Sequence, residues 1–177
     1  MDTWTPLALA ARTGDESALH AFVCATQNDV WRLCAHLGDR DAADDLTQET
    51  YLRALKALPR FRGDAPVRPW LFTIVRRVVA DDIAARQRRR AHSVSDRAPT
   101  HMADHAGPIS THALLADLDI DRREAFVLTQ VLGYSYADAA EVCNCPVGTI
   151  RSRVARAREQ LVALVQDEGH ESRRIIA

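Results

Sequence analysis

The stretch from Ser135 to Leu161, SYADAAEVCNCPVGTIRSRVARAREQL, restricts what this chain can fold into more tightly than any other. Ser135 caps a short helical run, YADAAEVC, and NCP is a turn. A longer helix opens at Val147. Val147, Ile150, Val154, Ala157 and Leu161 recur at spacings of three and four, as one buried helix face requires. At about 100° per residue, Ser152 and Glu159 lie opposite that row, with Ala155 and Arg156 beside them. Arg151 and Arg153 flank the exposed arc, and Arg158 lies nearer the buried edge. Short helix, tight turn, longer basic helix is the helix-turn-helix arrangement, whose second helix enters the DNA major groove. Arginine there reads guanine or binds phosphate.

The rest of the chain is also patterned for helices, and almost nothing alternates with period two. Residues 6–36 read as one or two helices, capped at Asp15, with Leu19, Phe22, Val23, Val30, Leu33 and Leu37 as core. A turn at Gly38 precedes a helix from about Asp41 to Leu58, stopped by Pro59. Ala43, Leu46, Ala54 and Ala57 form one row of it, with Asp44 and Gln48 roughly opposite and Asp45 and Glu49 to the side. Leu52, Leu55 and Leu58 continue on the acidic side, so only the first turns are expected to be open to solvent. RFRGDAPVRP is a loop, and Pro69 opens a helix whose buried row is Leu71, Val75 and Val78. Thr73, Arg76, Arg77 and Ala80 lie on its other side. Residues 91–112 lack periodicity and read as a flexible linker. The fold class is therefore all-α: two small helical domains joined by a linker, the second containing the helix-turn-helix.

Composition alone says little, since a net charge of −1 over 177 residues is unremarkable for a folded chain. Divided along the chain, it becomes a signal. Residues 1–59 carry nine acids against five bases, and residues 60–92 carry nine arginines against three acids. Residues 113–148 hold six acids and two bases, then residues 149–163 hold four arginines and one acid. Two basic blocks separated by acidic ones suit two contacts with a polyanion and one with a different partner.

No apolar run approaches a membrane span, there is no signal-peptide pattern, and the expected location is the cytoplasm. Cys24, Cys34, Cys143 and Cys145 lack zinc-ligand spacing and read as buried reduced thiols. The carboxylates of DAADDLTQE lack a partner cluster that would make a metal site. No nucleophile–base pairing, phosphate-binding glycine loop or HExxH is present, so neither a catalytic residue nor a cofactor is expected.

Three segments in order, DAADDLTQETYLRAL, FRGDAPVRPWLFTIVRRVVADDI and LGYSYADAAEVCNCPVGTIRSRVARAREQL, resemble those of the extracytoplasmic-function sigma factors of bacterial RNA polymerase. The resemblance implies an N-terminal domain over residues 1–90 for core-polymerase binding and recognition and melting of the −10 element. A linker (91–112), a −35-reading domain (113–165) and a tail (166–177) would follow, without an inhibitory N-terminal region or a large middle domain. It assigns Asp44, Asp45, Gln48, Glu49 and Thr50 to docking on the coiled coil of the polymerase's largest subunit. Phe61, Arg62, Gly63 and Asp64 match the loop that captures a flipped base, whose unstacking cost a pocket must offset. Thr73, Arg76, Arg77 and Ala80 match the face along the opened strand. Thr149, Arg151, Ser152, Arg153 and Arg156 match the −35 reading positions. The implied partners are core polymerase, promoter DNA and an anti-sigma factor, with no membrane contact of its own. The competing reading is a helix-turn-helix regulator whose N-terminal domain senses a ligand; the acidic docking helix and the first basic helix favour the sigma factor.

Overall fold

The computed structural model describes the backbone of residues 3–93 and 111–175, and side chains over 3–91 and 113–166. Most of the expected linker lies outside the described residues. The chain divides into two units, residues 1–102 and 103–177.

In the first unit, α1 (Trp4–Arg12) and α2 (Glu16–Leu37) are followed by α3 (Ala43–Ala57) and α4 (Val67–Ser93). Asp15 caps α2 by accepting the Ala18 N–H at 2.9 Å, leaving one fewer orphan donor at the helix start. Phe22, Val30, Leu33 and Leu37 of α2 pack with Ala43, Leu46 and Ala54 of α3 and Leu71, Phe72, Val75, Val78 and Val79 of α4, all buried. Each large side chain buried there contributes about 1.5–3 kcal/mol, so this core outweighs any surface pairing. Leu19 and Val23 are half-buried at its edge. Pro59 lies in a tight turn, Leu58–Arg60, that ends α3. The helix α4 starts two residues before Pro69, because Thr5 Oγ1 accepts the Val67 N–H at 2.8 Å.

In the second unit, α5 (Thr111–Ala116), α6 (Ile120–Phe126), α7 (Tyr136–Cys143) and α8 (Val147–Ile175) surround Leu115, Leu118, Val127, Leu128, Val142, Ile150 and Val154. The backbone after α6 widens into a π-turn over Val127–Val131 and stops at Gly133, whose φ of +75° favours glycine. Ser135 and Asp138 form a reciprocal capping box at the start of α7. Asn144 takes the left-handed conformation that turns the chain into α8 (φ 49°). Ile150, Val154 and Ala157 of the apolar row are buried. Val147, however, is 37% exposed, since it starts α8 ahead of the packed turns. The stretch after Val165 continues α8 to Ile175.

Two of the cysteines depart from expectation. Cys34 and Cys143 are buried, whereas Cys24 is exposed and Cys145 half-buried. Cys24 lies 3.7–3.8 Å from the ring nitrogens of His20, one turn earlier on the outer face of α2.

Candidate nucleic-acid and partner interfaces

The first surface is the outer side of α3. Asp44, Asp45 and Gln48 are exposed and Glu49 is half-buried. Trp31 Nε1 donates to Asp44 Oδ1 at 2.7 Å, so α2 orients the first carboxylate. Arg53 donates to Glu49 Oε1 through Nε and to Asp81 Oδ2 of α4 through Nη1, each at 2.6 Å. These two hydrogen bonds raise its pKa and tie the acidic face to α4. Thr50 does not belong to the surface. It is wholly buried, and its hydroxyl donates to Leu46 O at 2.8 Å in the row that faces the core. The acidic side also stays open further than expected, because Leu52 (47% exposed) and Leu55 (37%) face solvent and only Leu58 is buried.

The second surface is the loop before α4 together with one face of that helix. Arg62 and Asp64 project into solvent and pair at 2.8 Å. Gly63 between them has φ +79°, and a Cβ there would meet Leu9 Cδ2 at 2.9 Å. Phe61, expected at the base-capturing surface, does not reach it. It is buried, with its ring 5.1 Å from that of Trp70 and its carbonyl accepting from Arg12 Nη1 at 2.8 Å. It therefore supports the loop from beneath, whereas Arg62 and Asp64 form its exposed rim. Thr73 and Arg76 are half-buried, and Arg77 and Ala80 are exposed. Thr73 Oγ1 donates to Pro69 O at 2.8 Å. Arg86, lower on α4, pairs with both Asp39 and Asp82 and so fixes the entry to α3 against α4; these contacts raise its pKa.

No sequence motif marks α1, yet Thr5, Leu9 and Arg12 hold the start of α4, Gly63 and Phe61 respectively. The guanidinium of Arg68 also lies 4.6 Å over the Trp4 ring. The aromatic at position 4 was the available signal.

The third surface is the outer face of α8. Arg151, Ser152 and Arg156 are exposed, and Thr149 is half-buried. Ser152 Oγ donates back to Thr149 O at 2.9 Å. Arg153 is the exception among the arginines. Its guanidinium pairs with Asp121 of α6 and lies 3.8 Å from Cys145 Sγ, leaving the side chain 23% exposed. Arg158, expected near the buried edge, is exposed and donates to Gln130 Oε1 at 2.6 Å. Among the described residues, no cluster of three metal-ligating side chains forms, and no helix is long and apolar enough to cross a membrane.

Comparison with known proteins gives these surfaces a family. The Sigma-70 region 2 model matches residues 22–89, and the Sigma-70 region 4 model matches residues 110–161. The ECF RNA polymerase sigma factor SigC of Mycobacterium tuberculosis is 53% identical over 166 residues, covering 90% of this chain and 89% of that protein. The chain belongs to the extracytoplasmic-function sigma factors. Another member of the family, EcfG of Rhodopseudomonas palustris, is 41% identical over 139 residues, or 76% of this chain and 77% of that protein. Among solved structures, CnrH in complex with the cytosolic domain of CnrY is similar with a TM-score of 0.72 and 28% identity, covering 92% of this chain and 97% of that one. The sigma factor RpoE of Bartonella quintana, solved with the anti-sigma factor NepR, gives 0.62 and 30%, covering 84% and 96%. An ECF sigma factor is an alternative initiation factor: it associates with RNA polymerase and directs it to a particular set of promoters. The ligand-sensing regulator is not favoured.

Proposed function

We propose that this sigma factor docks core polymerase through the acidic side of α3, melts the −10 element with the 61–66 loop and α4, and reads the −35 element with α8. The observation that carries the reading is the segregation of charge in the fold. An exposed acidic row, Asp44, Asp45 and Gln48 with Glu49 at its edge, lies on one helix. The exposed arginines Arg77, Arg151 and Arg156 lie on others. A ligand-sensing domain needs neither an acidic docking helix nor a second basic one. Arg62, Gly63 and Asp64 would form the rim of the base-capturing loop, while Thr73, Arg76, Arg77 and Ala80 would follow the opened strand. Thr149, Arg151, Ser152 and Arg156 would face the −35 groove. No bond is made or broken by the protein itself, and its place of action is the cytoplasm, where polymerase and promoters are. The partners of CnrH and RpoE in the two solved complexes support a further partner here, an anti-sigma protein that covers the acidic face of α3.

The test is reconstitution with core polymerase on genomic templates, followed by mapping of transcript starts. Discrete starts that require the added protein are expected, with a shared pair of upstream elements. Specific DNA binding without any new starts would overturn the proposal.

A further inference from the structure

We propose that Asp121 withholds Arg153 from DNA, so that Arg153 positions the recognition helix while Arg151, Ser152 and Arg156 make its contacts. This inference rests on the reading of α8 as the −35 helix and asks which of its arginines do the reading. By sequence spacing Arg151 and Arg153 flank the exposed arc alike. The folded domain separates them.

Asp121 sits in the first turn of α6, where the unpaired backbone N–H groups favour a carboxylate, and its own N–H donates to Asp119 Oδ1 at 3.0 Å. The backbone that carries the carboxylate is thus fixed at the start of α6. The Arg153 guanidinium then spans two elements: Nη2 pairs with Asp121, and Nη1 approaches Cys145 in the turn that leads into α8. Three further bonds run along the same seam. Arg122 Nη1 donates to Gln160 Oε1 at 3.2 Å, and Gln160 Nε2 donates to Asp117 O at 3.1 Å. Arg158 completes the set through Gln130 of the π-turn. Arg151 and Arg156, by contrast, have no ion-pair or hydrogen-bond partner among the described residues. To offer a phosphate its full charge, Arg153 would have to give up the pairing with Asp121, and the abandoned carboxylate would then lie beside the DNA backbone. Both consequences oppose the exchange. Asp121 thereby limits how many cations α8 offers to any duplex, a restraint on sequence-independent binding.

The salt dependence of DNA affinity counts such contacts, since each neutralised phosphate contributes about 0.9 to the slope of log K against log salt. The full-length protein would be titrated at low ionic strength with a fluorescein-labelled pool of random-sequence duplexes, over a salt series. Arg151→Gln and Arg156→Gln should each flatten the slope by about 0.9. Arg153→Gln should weaken binding across the whole series, through the unpaired Asp121 carboxylate, while leaving the slope as it is. Asp121→Asn, which is nearly isosteric, should release Arg153 and steepen the slope by about 0.9, an effect that weakened packing alone would not produce. Combining Asp121→Asn with Arg153→Gln should restore the parental slope. If Arg153→Gln flattens the slope and Asp121→Asn does not change it, Arg153 is a phosphate contact and the proposal is wrong. Should Arg153→Gln unfold, Asp121→Asn decides alone: steepening supports the proposal and an unchanged slope overturns it. Unchanged slopes for both Arg151→Gln and Arg156→Gln would remove α8 from DNA altogether, a distinct failure that takes this inference with it.

Discussion

Cys34 lies fully buried against α3, and burial pushes its thiol from 9.0 up to about 11. Burial likewise pushes Tyr51 up to about 12, opposed by its hydrogen bond with Thr26 (2.7 Å). Both groups are neutral when protonated, and their folded pKa values lie above the unfolded ones. The stability they contribute is therefore fully present below about pH 9 and is lost as pH rises through 11 and 12. Melting temperature should be insensitive to these groups near neutrality and fall across that alkaline window, as calorimetry at stepped pH would measure. Tyr51→Phe should remove the upper part of the fall, at a cost of about 1 kcal/mol for the lost hydrogen bond. Thr50 supplies a second prediction at this scale. Because its hydroxyl serves Leu46 O inside the core, Thr50→Val should cost about 1 kcal/mol of stability and leave core-polymerase affinity unchanged. Denaturant titration and a binding titration separate the two effects.

At the scale of elements, α3 has two faces with different physics. Its buried row of Ala43, Leu46, Thr50 and Ala54 holds it in the domain, while Asp45 and Gln48 on its outer side have no hydrogen-bond or ion-pair partner among the described residues. Asp45→Arg, or Gln48→Ala combined with Glu49→Lys, should weaken core-polymerase binding tenfold or more, about 1.4 kcal/mol, with the fold retained. Fluorescence titration with core enzyme, alongside circular dichroism, checks both halves of that statement. The Arg53 bridge to Glu49 and Asp81 is half-exposed, so Arg53→Ala should change stability by less than about 1 kcal/mol.

At the scale of the whole molecule, the basic surfaces belong to two separate folding units. On the proposed reading each alone would offer few phosphate contacts, and engaging both at once would carry an ordering cost that a fixed spacing on polymerase removes. The free protein should therefore bind promoter duplex weakly at physiological salt, with tight and specific binding only in holoenzyme, as anisotropy with and without core enzyme would report. Purification from the native cell under non-inducing conditions should recover the protein bound to an anti-sigma partner. Recovery free, or bound only to polymerase, would place control in its synthesis or turnover.

Local rules suffice for much of this molecule. Apolar spacing, the Asp15 and Ser135 caps and the Asn144 turn specify the helices and the helix-turn-helix from sequence, because each acts within one or two helical turns. The order of acidic and basic segments is likewise a property of the chain alone. Which charges are available is not. Arg153 and Arg151 differ by two positions on one helix, yet only Arg153 meets Asp121, 32 residues away in sequence. Thr50 carries a hydroxyl suited to a surface, but helix packing turns it into the core, and the ring of Phe61 is turned under its loop. Leu52 and Leu55 are apolar and remain outside, because the faces that bury α3 lie on its other side. Periodicity tells which residues share a face. Only the tertiary structure decides what that face meets, since pairing and burial depend on residues the chain brings together from a distance.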